Sequence, residues 1–150
     1  MIHRNAYMTD ELQQIYDQTV EFVSREVVPH GNSWEDAGSV PRDVLLKMGS
    51  LGMLGLRVPE EHGGLGLGPL ASATFSEALG SSTFAGFEVT VLVHTDMSGP
   101  HLVNSGTDEQ LAEWMPERHL PWLDSSPFSG ELHLSQIGCR RKPFCLVCRR

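Results

Sequence analysis

The chain has 150 residues, of which 40% are hydrophobic, so it is long enough for one domain with a real core. Its formal net charge is −8, which opposes binding to nucleic acids and anionic membranes because such binding depends on Lys and Arg. No apolar run approaches the roughly 20 residues that span a bilayer, and the N-terminus resembles neither a signal peptide nor a transit peptide. We therefore expect a cytoplasmic protein with no membrane span and no nucleic-acid partner, and not a large multidomain enzyme.

The composition changes after residue 118. Residues 1–118 contain six Lys and Arg against 17 Asp and Glu, whereas residues 119–150 contain five against two, together with all three cysteines. We treat residues 1–118 as one helical domain and residues 119–150 as a separate tail. The tail has few periodic apolar positions to offset its ordering entropy, so we expect it to be disordered.

The domain opens with an amphipathic helix that begins after the N-cap Thr9 and stops at Pro29. Its apolar residues recur at steps of three and four: Leu12, Ile15, Tyr16, Val20, Val23 and Val27. A second helix is predicted from Pro41 to about Ser50. Between Leu54 and Pro69 the period disappears, which predicts a turn-rich connector, with Leu54–Val58 as the one segment able to be extended.

Four more helices follow the connector. The third spans Leu70 to Leu79, and the fourth runs from Phe84 toward Asp96 although its β-branched residues favour a helix only weakly. A short fifth helix starts at Pro100, and a capping box of Thr107 and Gln110 opens the sixth. We therefore predict an all-α fold, a bundle of about six helices.

The glycine-rich stretch from Gly63 to Gly68 is a candidate phosphate loop. A dinucleotide fingerprint needs a third glycine at the sixth position, where this sequence has Pro69, and the lysine of a phosphate-binding loop is also missing. We interpret the stretch as a structural connector.

Few other residues carry chemistry. No nucleophile elbow occurs, and we predict no catalytic residue. His94 lies late on the fourth helix beside Thr95 and Asp96, where it is either a polar helix end or part of a polar cluster facing a pocket. Four possible zinc ligands lie in the tail, but their spacing matches only half of a common site, so we predict no metal; they are His133, Cys139, Cys145 and Cys148.

Several segments resemble, in order, those of one enzyme family. The run from Leu51 to Gly66 (LGMLGLRVPEEHGGLG) is followed by FSEALG at residues 75–80, VHTD at 93–96 and GTDEQ at 106–110. Together they resemble the N-terminal helical domain of the FAD-dependent acyl-CoA dehydrogenases over roughly residues 8–118. The sequence His94-Thr95-Asp96 is similar to the long-chain branch.

The resemblance implies α,β-desaturation of fatty acyl-CoA thioesters with FAD as hydride acceptor. It places one wall of the acyl-chain pocket on the fourth helix, at Phe87, Val91, Leu92 and Thr95. The same residues are alternatively ordinary interdomain core. The resemblance does not tell which residues contact FAD.

The family's flavin-binding β-domain and its C-terminal bundle, which commonly supplies the glutamate base, have no match in residues 119–150. The resemblance therefore implies a truncated acyl-CoA dehydrogenase that is inactive alone, with a tail that arose by frameshift, premature stop or gene-model error, or is a genuine extension. The alternatives are a non-catalytic helical binding or scaffold module and a zinc-stabilised regulatory module.

The family is typically homo-oligomeric, and a domain without its neighbours exposes an apolar face. We therefore expect self-association, relieved by Val91→Glu or Leu92→Lys.

Overall fold

A computed structural model describes residues 7–114, with side chains described for residues 7–111. Over residues 7–114 it contains seven α-helices and no β-strand, which confirms the predicted all-α class. The helices are α1 (Asp10–Phe22), α2 (Gly31–Ala37), α3 (Arg42–Ser50), α4 (Pro69–Leu79), α5 (Ala85–Leu92), α6 (Gly99–Ser105) and α7 (Asp108–Trp114). The expectation of a disordered tail and the four zinc-ligand candidates lie outside these residues.

Helix α1 begins as predicted. The Thr9 hydroxyl accepts a hydrogen bond from the Leu12 N–H at 3.3 Å, and Asp10 and Glu11 place negative charge at the positive end of the helix dipole. Beyond α1 the chain widens into a π-helical turn, Val23–Val27, in which the Val28 N–H reaches back five residues to the Val23 carbonyl at 2.9 Å. The apolar period continues through this turn. The structure therefore confirms the predicted length of the first helical segment, but the sequence did not indicate its change from α- to π-helical winding.

Helix α2 was not predicted, so the described residues hold one helix more than the six expected. Its sequence, GNSWEDA, has Trp34 as its only large apolar residue. In addition, a glycine such as Gly31 just after a helical segment usually marks the end of a helix rather than the start of one. Gly31 is instead buried against the Phe84 ring, where a Cβ would lie 2.3 Å from the ring carbons. Trp34 packs between the His30 ring, 6.1 Å away, and the Phe87 ring, 6.2 Å away, and so fixes α2 onto the core.

The main core joins α1, α3, α4 and α5. Phe75 and Leu79 of α4 and Met48 of α3 have no exposed surface, and α1 packs along α4. Lys47 of α3 also forms a 2.7 Å ion pair with Glu26, but both side chains are partly exposed, so this pair contributes little. The remaining core residues are Phe22, Val23, Val27, Val44, Leu45, Met53, Leu54, Leu56, Phe87 and Val91.

The connector of residues 51–68 is a compact loop. The expectation that Leu54–Val58 is extended was wrong: these residues form turns whose carbonyls accept hydrogen bonds from the later part of the same loop. The Leu67 N–H donates to the Leu56 carbonyl at 2.7 Å, and the Gly66 N–H to the Val58 carbonyl at 2.8 Å. Gly63 and Gly66 have φ of 82° and 61°, a region that favours glycine. The glycines thus serve backbone geometry.

A smaller core joins the connector to the last two helices through Val58, Leu102 and Leu111. The predicted capping box is confirmed: the Thr107 N–H donates to Gln110 Oε1 at 2.8 Å, and the Gln110 N–H to Thr107 Oγ1 at 3.3 Å. A side-chain hydrogen bond with Thr107, and a lesser one with its own backbone, lower the pKa of the Glu109 carboxyl. No helix among the described residues is long and apolar enough to cross a bilayer.

Replacing Gly64 by Ala tests the loop. The added Cβ would lie 2.1 Å from the Val58 carbonyl oxygen, so we expect the free energy of unfolding in urea to fall by about 1–3 kcal/mol. The control is Gly86→Ala at the start of α5, where nothing lies within 4 Å and stability should stay level or rise by up to about 1 kcal/mol. Equal effects of the two substitutions would contradict this account of the loop.

Candidate functional site

The candidate site is built on α5 and the π-helical turn Val93–Ser98 that continues it. Helix α5 starts from a constrained corner, because Thr83 has a φ of 60°, which is unusual for a β-branched residue. The Ser82 hydroxyl secures the corner by accepting the Phe84 N–H at 3.1 Å and donating to Glu88 Oε1 at 2.8 Å. Packing and this anchor therefore override the weak helix propensity of the segment.

The four residues predicted to contact an acyl chain lie on the side of α5 that faces the domain interior. Phe87 is 2% exposed and Val91 has no exposed surface, and both belong to the main core. Leu92 is half-buried against the same core, and Thr95 is 8% exposed. The structure thus brings the four together, and their contact with an acyl chain stays a prediction.

The burial of Val91 corrects one expectation. Val91→Glu was expected to improve solubility, but a carboxylate placed in this core would have no water around it, and the domain would unfold instead. Leu92 is only partly accessible, so Leu92→Lys is also a poor choice.

The opposite side of the same segment carries an exposed apolar stripe that the sequence analysis missed. It consists of Val89, Val93 and Met97, which follow one another at intervals of four residues. Val89 is 51% and Met97 65% exposed. Since α5 is apolar on nearly every side, its spacing alone did not indicate which face turns outward.

A polar cluster lies where the π-helical turn meets α4. The Asp96 carboxylate accepts hydrogen bonds from Ser72 of α4 through Oδ1 and from Thr95 through Oδ2, the latter at 2.8 Å. The Thr95 hydroxyl also lies 3.2 Å from the Val91 carbonyl. Ser72 is 6% exposed, so Asp96 satisfies hydroxyls that have little access to water.

The sequence left two interpretations of His94, a polar helix end or part of a polar cluster facing a pocket. His94 is half-buried, and its neighbours Thr95 and Asp96 belong to the cluster described above. Ser72 carried no signal in the sequence, because it lies 24 residues from Asp96 on a different helix.

A shallow cleft lies beside Phe75 of α4. It has a volume of about 50 Å³ and opens to solvent between α1, the connector and α4. Its lining is mainly apolar: Ile15, Gln18, Thr19, Leu51, Gly52, Met53, Leu56, Leu65 and Phe75. No titratable side chain contributes to this lining, and no group of three or more metal-ligating side chains comes together among the described residues.

The helical arrangement is that of a known class of oxidoreductase domain. A probable acyl-CoA dehydrogenase from Mycobacterium abscessus has a crystal structure that superposes with a TM-score of 0.67 and 30% identity, over 76% of this chain and 30% of that one. The sequence profile of the acyl-CoA dehydrogenase N-terminal domain matches residues 9–118. The chain therefore belongs to the acyl-CoA dehydrogenase family.

Individual relatives cover different parts of the chain. The mouse mitochondrial long-chain specific acyl-CoA dehydrogenase is 39% identical over 99 residues, which are 65% of this chain and 22% of that protein. The potato mitochondrial isovaleryl-CoA dehydrogenase is 31% identical over 142 residues, 93% of this chain and 33% of that protein. This second alignment extends past residue 118, so the resemblance does not end there in every relative. The chain spans about a fifth to a third of the length of these relatives.

Two valines of α5 test the placement of the candidate wall. Val91→Ala removes two buried methyl groups, and we expect the free energy of unfolding to fall by about 2 kcal/mol. Val89→Ala makes the same chemical change on the exposed face two residues earlier, where the effect should stay within about 0.6 kcal/mol and favour the helix. Urea unfolding of both variants measures the contrast. A larger loss for Val89→Ala would show that the faces are reversed.

Proposed function

We propose that these 150 residues carry the helical N-terminal part of an FAD-dependent acyl-CoA dehydrogenase that desaturates fatty acyl-CoA thioesters. We further propose that they do not catalyse the reaction by themselves. The observation that carries the proposal is the match of residues 9–118 to this one domain of the family, with the same helical arrangement in a solved relative. The rate of such a reaction depends on the mutual positioning of cofactor, substrate and base, which the family distributes over several domains.

The segment from Phe87 to Thr95 is proposed as one wall of the acyl-chain pocket. Phe87 and Val91 are buried in the domain core, so their part in the wall is to support it from behind. Leu92 is half-buried and lies nearer to the surface, whereas Thr95 is buried and donates a hydrogen bond to Asp96 in the polar cluster. A rigid apolar helix backed by a packed core suits a pocket that holds a long hydrocarbon chain.

The open cleft beside α4 does not suit FAD. Pockets for such ligands have volumes of about 300–1,000 Å³ and place a few polar groups against the ligand, whereas this cleft has a volume of about 50 Å³ and no charged lining. A pyrophosphate also needs cations or a helix N-terminus directed at it. FAD binding is therefore proposed only for an assembly that includes the rest of the family's fold.

Substrate class and location are proposals as well. Fatty acyl-CoA is proposed as the substrate, and the long-chain branch is favoured by the mouse relative and by the sequence His94-Thr95-Asp96. The names of the mouse and potato relatives place those proteins in mitochondria. The cytoplasmic location of this chain stays a prediction.

The proposal predicts that the purified 150-residue chain, incubated with FAD and passed through gel filtration, retains no flavin absorbance. It should also reduce no dye acceptor when given a saturated acyl-CoA, because the open cleft beside α4 does not suit FAD. A positive control is a full-length long-chain acyl-CoA dehydrogenase under the same conditions. Dye reduction by the chain above the no-protein rate would contradict the proposal.

The nucleotide sequence downstream separates this function from the runner-up, a non-catalytic helical binding or scaffold module. A segment encoding the family's Thr-Glu-Pro-x-Ala-Gly-Ser-Asp motif, in any reading frame, would support the acyl-CoA dehydrogenase proposal. Its absence, together with a stable colourless oligomer in solution, would favour the binding module.

Self-association is a further consequence of the proposed function, because Val89, Val93 and Met97 would meet other parts of the family's fold. We expect the chain to associate with rising concentration in sedimentation experiments under reducing conditions. Met97→Lys should weaken association, whereas Gln14→Lys, which adds the same charge to the exposed side of α1, should not. A monomeric wild-type chain at high concentration would show that the stripe is not adhesive.

A further inference from the structure

Two members of the polar cluster, Thr95 and Asp96, lie inside the π-helical turn Val93–Ser98, and the third, Ser72, contacts Asp96 from α4. In this turn the Gly99 N–H bonds to the His94 carbonyl five residues back, where an α-helix would bond four residues back. A π-helical turn is rarer than an α-helical one and needs support from outside the helix. The Asp96 carboxylate provides such support by binding Ser72, which belongs to α4.

The winding of this turn determines which residues face outward after it. One extra residue in a turn rotates everything that follows by about 100° relative to a continued α-helix. Met97, near the end of the π-helical turn, and helix α6, which follows the turn, therefore depend on its winding for their orientation. Met97 is the most exposed residue of the apolar stripe, so the shape of the stripe depends on the same turn.

We propose that Asp96 is a positioning residue: its carboxylate ties the π-helical turn to α4 and so sets the orientation of Met97, the last residue of the outer apolar stripe. The structural half of this inference stands on the hydrogen bonds alone. Its functional half rests on the proposed function, under which the turn that carries Met97 adjoins the proposed wall of the acyl-chain pocket, Phe87 to Thr95.

Asparagine distinguishes the geometry of the carboxylate from its charge. In Asp96→Asn the amide oxygen still accepts from Ser72, and the amide N–H₂ donates to the Thr95 hydroxyl, which is then free to donate to the Val91 carbonyl 3.2 Å away. In Asp96→Ala the Ser72 hydroxyl loses its carboxylate partner, and the Thr95 hydroxyl keeps only the Val91 carbonyl. Asp36→Ala, at an exposed position of α2, is the control for loss of one negative charge.

The experiment is methyl NMR on the 150-residue chain labelled at its methionines, with the Met97 signal assigned through Met97→Leu. We expect Asp96→Ala and Ser72→Ala to shift the Met97 methyl signal in the same direction while the signal of Met48, buried in the main core, stays unchanged. Asp96→Asn should restore the wild-type Met97 signal, and Asp36→Ala should leave it in place. Amide exchange of residues 93–99 should be at least about tenfold faster in Asp96→Ala.

A purely stabilising role for Asp96 predicts a different result. Thermal unfolding would shift to lower temperature in Asp96→Ala, but the Met97 signal of the folded protein would not move, and this outcome would overturn the inference. If Asp96→Ala fails to fold, which the Met48 signal reports, Ser72→Ala provides the same test because it removes only one of the two bonds. An unmoved Met97 signal in folded Ser72→Ala would likewise overturn it.

A titration with an acyl-CoA separates the inference from the proposed function. Hexadecanoyl-CoA, kept below its micelle concentration, is added to the wild-type chain and to Asp96→Ala. A Met97 shift in the wild type that is lost in Asp96→Ala supports both halves of the inference. If the wild-type Met97 signal does not shift while it is still displaced in the variants, the proposed acyl-chain contact is rejected for this chain. The positioning role of Asp96 then stands by itself.

Discussion

The burial of helix α4 is the constraint on which the rest of the domain depends. Phe75, Ala78 and Leu79 have no exposed surface, and Ala71 and Thr74 are almost as deeply buried. One side of α4 packs along α1 and lines the open cleft, while Ser72 connects α4 to the π-helical turn beyond α5. The small residues of α4 allow its neighbours to approach closely. A change of position in α4 would therefore displace both the cleft and the candidate wall.

The parts of the fold that could be predicted from the sequence are those encoded by local signals. Thr9 and the Thr107–Gln110 pair mark helix starts because their side chains satisfy free backbone N–H groups within three residues. Helix α2 could not be predicted in this way. Its glycine is explained by the Phe84 ring, which lies more than fifty residues later in the chain, and only the folded structure shows that contact.

The candidate site shows the same limit more sharply. The order of the segments that resemble the family was enough to indicate it, because several matching segments at matching separations rarely occur by chance. It was not enough to orient α5, since Val89 and Val91 are chemically identical and only packing decides that the first is exposed and the second buried. The partner of Asp96 was equally hidden, because a hydrogen bond between two helices leaves no periodic trace in the sequence.

The contacts of the Trp34 ring, stacked on His30 and tilted against Phe87, give the domain an optical property of its own. An indole held between an imidazole and a phenyl ring has asymmetric surroundings, so it should produce near-ultraviolet circular dichroism that disappears when α2 detaches. The difference spectrum between the wild type and Trp34→Phe isolates that signal from the other tryptophans. The docking of α2 onto α5 can thus be followed in real time, separately from the formation of helical backbone elsewhere.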